Sequence, residues 1–109
     1  MTDKIYTIEE LREIITPIAM RHNVQRVYLF GSYARGEATG DSDVDLRVDA
    51  ARLRGMLALG GLYADLENAL QKSLDLVTTD TLQFHMQKEH TKKFYDTIRR
   101  DEVMLYDEA

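Results

Sequence analysis

The run Ser42-Asp43-Val44-Asp45-Leu46-Arg47-Val48 alternates without a break. Val44, Leu46 and Val48 fall on one face and Asp43, Asp45 and Arg47 on the other, the period-two signature of a half-buried strand. That alternation fixes the segment in a sheet and aims its carboxylates at one place. Val24 to Phe30, rich in β-branched and aromatic residues and ended by Gly31, is the natural partner strand. Leu74 to Thr78 reads as a third strand and Val103 to Tyr106 as a short last one.

Helices fill the intervals. Thr7 followed by Glu10 reads as a capping box, after which Ile8, Leu11, Ile15 and Ile18 recur at helical spacing. Pro17 predicts a kink, or a restart as a second short segment ending near His22. Leu59, Leu62, Tyr63, Leu66 and Leu70 trace one face of another helix. Asp80 or Thr81 can cap a last one. On its wheel Leu82, Phe84, Met86, Phe94, Tyr95 and Ile98 take one side, and Lys88, Glu89, Lys92, Lys93, Asp96, Arg99 and Arg100 the other. The expected fold is α+β: a small mixed β-sheet with helices packed on it, treated as one domain over residues 1–109.

Composition narrows the function. A formal net charge of -5 argues against a domain whose task is to neutralise many phosphates of a nucleic-acid duplex, so stable nucleic-acid binding is not expected. Cysteine is absent, which excludes disulfides, thiolate metal sites and a cysteine nucleophile. With neither an apolar run of membrane-spanning length nor a signal-peptide pattern, the chain is expected to be cytoplasmic and to have no membrane partner.

The chemistry is carried by Gly31-Ser32-Tyr33-Ala34-Arg35-Gly36 and Asp43-Val44-Asp45. A strand that ends in Gly-Ser and enters a helical turn can present N–H groups and a hydroxyl to a phosphate, although Gly-Ser alone is usually just a turn. Asp43 and Asp45, two apart on a strand, put two negative groups in one small space. Their repulsion, roughly 4 kcal/mol at about 4 Å and an effective dielectric near 20, is relieved by a bridging divalent cation. An isolated Asp-x-Asp is otherwise a solvated acidic face. Asp75 lies among Leu74, Leu76 and Val77, where an ionised carboxylate needs a cation, donors or an exit to solvent. It is a candidate third metal ligand and proton acceptor, or a strand aspartate that reaches water. Arg35 is either a phosphate ligand or a carboxylate partner. His22, His85 and His90 lack metal-ligand spacing and take no role, and the Lys88, Lys92 and Arg99 row reads as a solvated helix face.

Taken together, Gly31-Ser32, ten intervening residues, Asp43-x-Asp45 and the later strand aspartate Asp75 resemble the signature of the DNA polymerase beta-like nucleotidyltransferase superfamily. The fuller text from Phe30 to Gly36, with Ser42 to Leu46, is similar to its minimal prokaryotic branch. The resemblance implies the nucleotidyltransferase fold, a nucleoside triphosphate (ATP by family default) held by Gly31 and Ser32, with Arg35 as a further candidate ligand, and two Mg²⁺ ions held by Asp43, Asp45 and Asp75, which are also the catalytic residues. It further implies an antitoxin that adenylylates a tyrosine of a HEPN ribonuclease toxin. Two other readings stay open: an enzyme that modifies a small-molecule hydroxyl such as an aminoglycoside's, and a non-catalytic module that neutralises a toxin by covering it.

Overall fold

The computed structural model of the chain describes residues 2–80 and 89–109. Along them run α1 (Ile8–Arg21), β1 (Arg26–Phe30), α2 (Gly31–Arg35), β2 (Val44–Asp49), α3 (Gly55–Leu70), β3 (Leu74–Thr78), α4 (Glu89–Asp101) and β4 (Val103–Asp107). The strands make one mixed sheet in the order β3-β2-β1-β4. β1 is antiparallel to both β2 and β4, and β2 is parallel to β3. The expected α+β architecture is therefore the observed one. Leu82, Phe84, His85, Met86 and Lys88 of the last predicted helix lie outside the described residues, as do the side chains of His90, Lys92 and Tyr95.

The alternation of β2 divides the sheet into two faces. Val44, Leu46 and Val48 are fully buried with Val27 and Leu29 of β1, and α1 and α3 cover them with Leu11, Ile15, Leu62, Leu66 and Leu70. The opposite face carries Asp45 and Arg47 beside Phe30 and Tyr28, their register partners on β1. A small apolar cluster of Phe30, Ile98 and Val77 holds α4 to that face. Each side of the sheet thus has its own cover, and only one of them is a full core.

Element boundaries depart from the predicted ones for local reasons. Pro17 does not divide the first helix into two: α1 runs through from Ile8 to Arg21. The carbonyl that loses its partner is that of Glu13, and both Glu13 and Pro17 face solvent, so water can take the missing bond. β1 begins at Arg26 because Asn23, at φ 58, and the Val24 N–H, bonded to the Ala19 carbonyl, close the end of α1. α3 starts at Gly55, one turn before the predicted Leu59, and its first turn exposes Met56 and Leu57. Hydrophobic periodicity is visible only where that helix meets the sheet.

Candidate active site

Asp45 is the centre of the open face. Its Cα pairs with Phe30 on one side and Asp75 on the other. Phe30 leads directly into Gly31, whose φ is +74°. A Cβ on Gly31 would stand 2.0 Å from Asp45 Oδ2. Glycine is therefore required twice here, once for the left-handed backbone and once for the carboxylate lying against it. The chain then turns through α2 and leaves it at Gly36, also left-handed. Tyr33, on the buried side of α2, anchors this turn in the main core at 4% exposure, with its hydroxyl making no hydrogen bond.

A cavity of about 190 Å³ opens in front of Asp45. Its inner wall is Phe30, Gly31, Arg35, Asp45 and Asp75, and its outer wall is Phe94, Thr97, Ile98 and Asp101 of α4. The Phe94 ring stands edge-on to Phe30, centroids 6.2 Å apart. Gly31, Arg35, Asp45 and Asp75 are thus brought together as expected. Ser32 and Asp43 do not line this cavity. Asp43 lies one residue before β2 and is exposed, opening toward a neighbouring cavity with Asp41, Ser42 and Lys72.

The electrostatics bind the three aspartates more closely than the cavity walls do. Burial pushes the Asp45 carboxyl up to about 6, and the neighbouring carboxylates of Asp75 and Asp43 push it the same way, with Arg35 opposing. Arg35 also pairs with Glu37 at 2.8 Å on the surface. Of the two readings of Asp75, the structure gives the side chain that reaches water. β3 is an edge strand, and Asp75 is exposed on it. Its route to water is open, so desolvation does not by itself demand a cation there.

Among the described residues, no three histidine or acidic side chains already converge as a metal cage. The chemistry of the donor set nonetheless fits a hard divalent cation. Three carboxylates supply only oxygen, and burial together with the charges of Asp75 and Asp43 holds the innermost, Asp45, above the usual carboxylate range. Exposed Asp43 and Asp75 are free to turn toward Asp45 at little cost in desolvation.

Sequence reasoning missed Arg47. It sits on the same face as Asp45 at 4% exposure, its guanidinium bonded to both carboxylate oxygens of Glu102. Alternation placed it on the open face, but nothing local announced a partner so far along the chain. His22 pairs with Asp65 at 2.6 Å, away from the cavity, in keeping with having no assigned role.

Comparison with known proteins gives a consistent picture. Residues 13–107 match the family described as Polymerase beta, Nucleotidyltransferase. The protein adenylyltransferase MntA of Thermococcus cleftensis is 38% identical over 81 residues, which span 71% of this chain and 82% of that protein. Among solved structures, one described as a minimal nucleotidyltransferase superposes with a TM-score of 0.69 at 32% identity, covering 90% of this chain and 95% of that one. A toxin–antitoxin complex with AMP-PNP contains a chain similar at TM-score 0.67 and 26% identity, covering 88% of this chain and 73% of that one. Among the described residues no helix is long and apolar enough to cross a membrane.

Proposed function

The chain belongs to the polymerase beta nucleotidyltransferase family, and from that premise we propose that it transfers an adenylyl group from ATP to a tyrosine hydroxyl of a HEPN-type ribonuclease toxin, so acting as the antitoxin in the cytoplasm. The observation that carries this reading is the pairing of Asp45 with Asp75 against Gly31 in one cavity. The similarity to a protein adenylyltransferase and to a chain from a toxin–antitoxin complex supports a protein acceptor.

In this reading Gly31, Ser32 and Arg35 hold the triphosphate, Arg35 exchanging its surface partner Glu37 for a phosphate oxygen. Asp43, Asp45 and Asp75 would hold Mg²⁺, two ions in the full site, which would supply positive charge to the phosphates and lower the pKa of the acceptor hydroxyl. Asp75, exposed on the sheet edge, is placed to meet an acceptor arriving from outside and to take its proton. The tyrosine oxygen bonds to the α-phosphorus, the bond from that phosphorus to the bridging oxygen breaks, and pyrophosphate leaves. Beyond positioning these groups the protein has little covalent work to do.

The test is to incubate the protein with each labelled nucleoside triphosphate, Mg²⁺ and a HEPN-type toxin partner. Label from ATP alone should appear on the partner, with a mass increment of one adenylyl group on tyrosine, and should vanish in the Asp43→Ala, Asp45→Ala double variant. A partner neutralised equally well by that variant, without gaining mass, would leave binding alone as the mechanism.

A further inference from the structure

We propose that Arg47 is a positioning residue: through Glu102 it sets α4, and with it the outer wall of the Asp45–Asp75 cavity, at the height above the sheet that nucleotide binding requires. The proposal rests on the function argued above for that cavity, and it concerns residues outside the cavity's own walls.

Arg47 follows Asp45 by two positions on β2 and therefore shares its face. Its guanidinium uses every arm. Nε donates to Glu102 Oε2 at 3.0 Å and Nη2 to Glu102 Oε1 at 2.9 Å. Nη1 donates to Thr79 Oγ1 at 2.6 Å and lies 3.5 Å from Asp49 Oδ1. The Arg47 Cζ lies over the Tyr28 ring, 4.0 Å from the centroid. Only arginine offers a flat fork that can bond one carboxylate twice while stacking on an aromatic face. A lysine would keep the charge and lose the geometry.

The partners explain what that geometry is for. Glu102 stands immediately after α4, and its N–H returns to the Ile98 carbonyl, so moving Glu102 moves the last turn of the helix. That turn carries Ile98 and Asp101 of the outer wall, with Thr97 directly before it and Phe94 about one turn before Ile98. Thr79 stands immediately after β3, the strand that carries Asp75. One buried side chain thus ties the strand of Asp45 to the end of the strand of Asp75 and to the helix that closes the cavity. Among the described residues the apolar contacts of α4 with the sheet are those of Ile98 with Phe30 and Val77 and of the Phe94 ring edge-on to Phe30, a small patch that leaves tilt and height to be set by something directional. Ion pairs this buried are poor sources of net stability, because desolvation offsets most of the attraction, and their best-attested use is to specify geometry.

Two variants separate positioning from mere structure. Arg47→Lys keeps the charge. The Arg47→Met, Glu102→Leu double substitution removes both charges and fills the space, a replacement that commonly preserves or raises stability. For both we expect the KM for ATP to rise about tenfold or more with kcat within about threefold of wild type, and faster amide exchange over residues 97–101. The double variant should retain a wild-type thermal midpoint. If instead both variants show wild-type KM and wild-type exchange at 97–101, or if only the thermal midpoint moves, Arg47 has no positioning role. Amide exchange reads α4 independently of any reaction. A wild-type protein that transfers nothing would sink the function proposed for the cavity while leaving this arm of the test decisive.

Discussion

Asp45 is where the fold and the proposed chemistry pull in opposite directions. Its carboxyl is raised to about 6 by burial and by Asp75 and Asp43, so the metal-free fold favours the protonated form. A raised acid contributes stability that is fully present below its unfolded value, near 4, and is lost as pH rises through about 6. The metal-free protein should therefore lose stability chiefly between about pH 4 and pH 6 from this group. Asp45→Asn should remove that dependence and raise the thermal midpoint at pH 8 by a few degrees, on the order of 1 kcal/mol for a half-exposed group, while transfer falls at least about 100-fold. Thermal scans at pH 5 and 8, beside a transfer assay, check both signs; a midpoint that is higher in wild type at pH 8 would contradict the electrostatics. Gly31→Ala places a methyl 2.0 Å from Asp45 Oδ2 on a backbone at φ +74°. It should cost about 1–2 kcal/mol in strain and displace the carboxylate, lowering transfer about 100-fold or more. Measured transfer within threefold of wild type would show that the close approach is incidental. The Gly31, Asp43 and Asp45 pattern was readable in the sequence because each is local: a strand end and a two-residue repeat. Arg47 was not, because alternation reports a face and not a partner, and Glu102 is 55 positions away.

At the scale of elements, the sequence was legible wherever one face meets a core, and it blurred at the ends. The capping box is present in full, with Thr7 Oγ1 accepting from the Glu10 N–H at 3.0 Å and Glu10 Oε1 accepting from the Thr7 N–H at 3.0 Å. Thr7→Ala should destabilise the protein by about 1 kcal/mol and leave transfer by the folded protein unchanged, since α1 packs on the side of the sheet away from the cavity. Urea unfolding with a parallel transfer assay checks this, and a loss of activity beyond the unfolded fraction would contradict the two-sided division of the sheet. Pro17 does not end α1, because the cost of an interior proline depends on where the orphaned carbonyl points, which is a tertiary fact. Asp75 left two readings open for the same kind of reason. A carboxylate among Leu74, Leu76 and Val77 reads either as buried or as reaching water, and the strand order, which puts β3 at the edge of the sheet, gives water. Neither strand order nor edge position is written in local periodicity.

For the whole molecule the governing quantity is the size of the cavity against the size of its proposed ligand. About 190 Å³ is available in front of Asp45 and Asp75, below the roughly 300–1,000 Å³ of pockets that bury most of a ligand of nucleotide size. A nucleoside triphosphate bound there leaves a large part of its surface in water, so its affinity for the isolated protein should be modest. An acceptor protein that docks across the mouth, where Asp75 lies exposed on the edge strand, covers part of that surface and gains contacts that exist only when nucleotide is present. The two ligands are then thermodynamically coupled, and the coupling is reciprocal: whatever factor the partner adds to nucleotide affinity, the nucleotide must add to partner affinity. We expect a factor of about 5–150, the usual range for linked sites. Calorimetric titration of a non-hydrolysable ATP analogue with and without the partner, and of the partner with and without the analogue, measures both arms. Equal factors above about five support a site completed by its acceptor, whereas factors of one in both arms would mean that the cavity binds its nucleotide unaided and that the acceptor contributes only the hydroxyl.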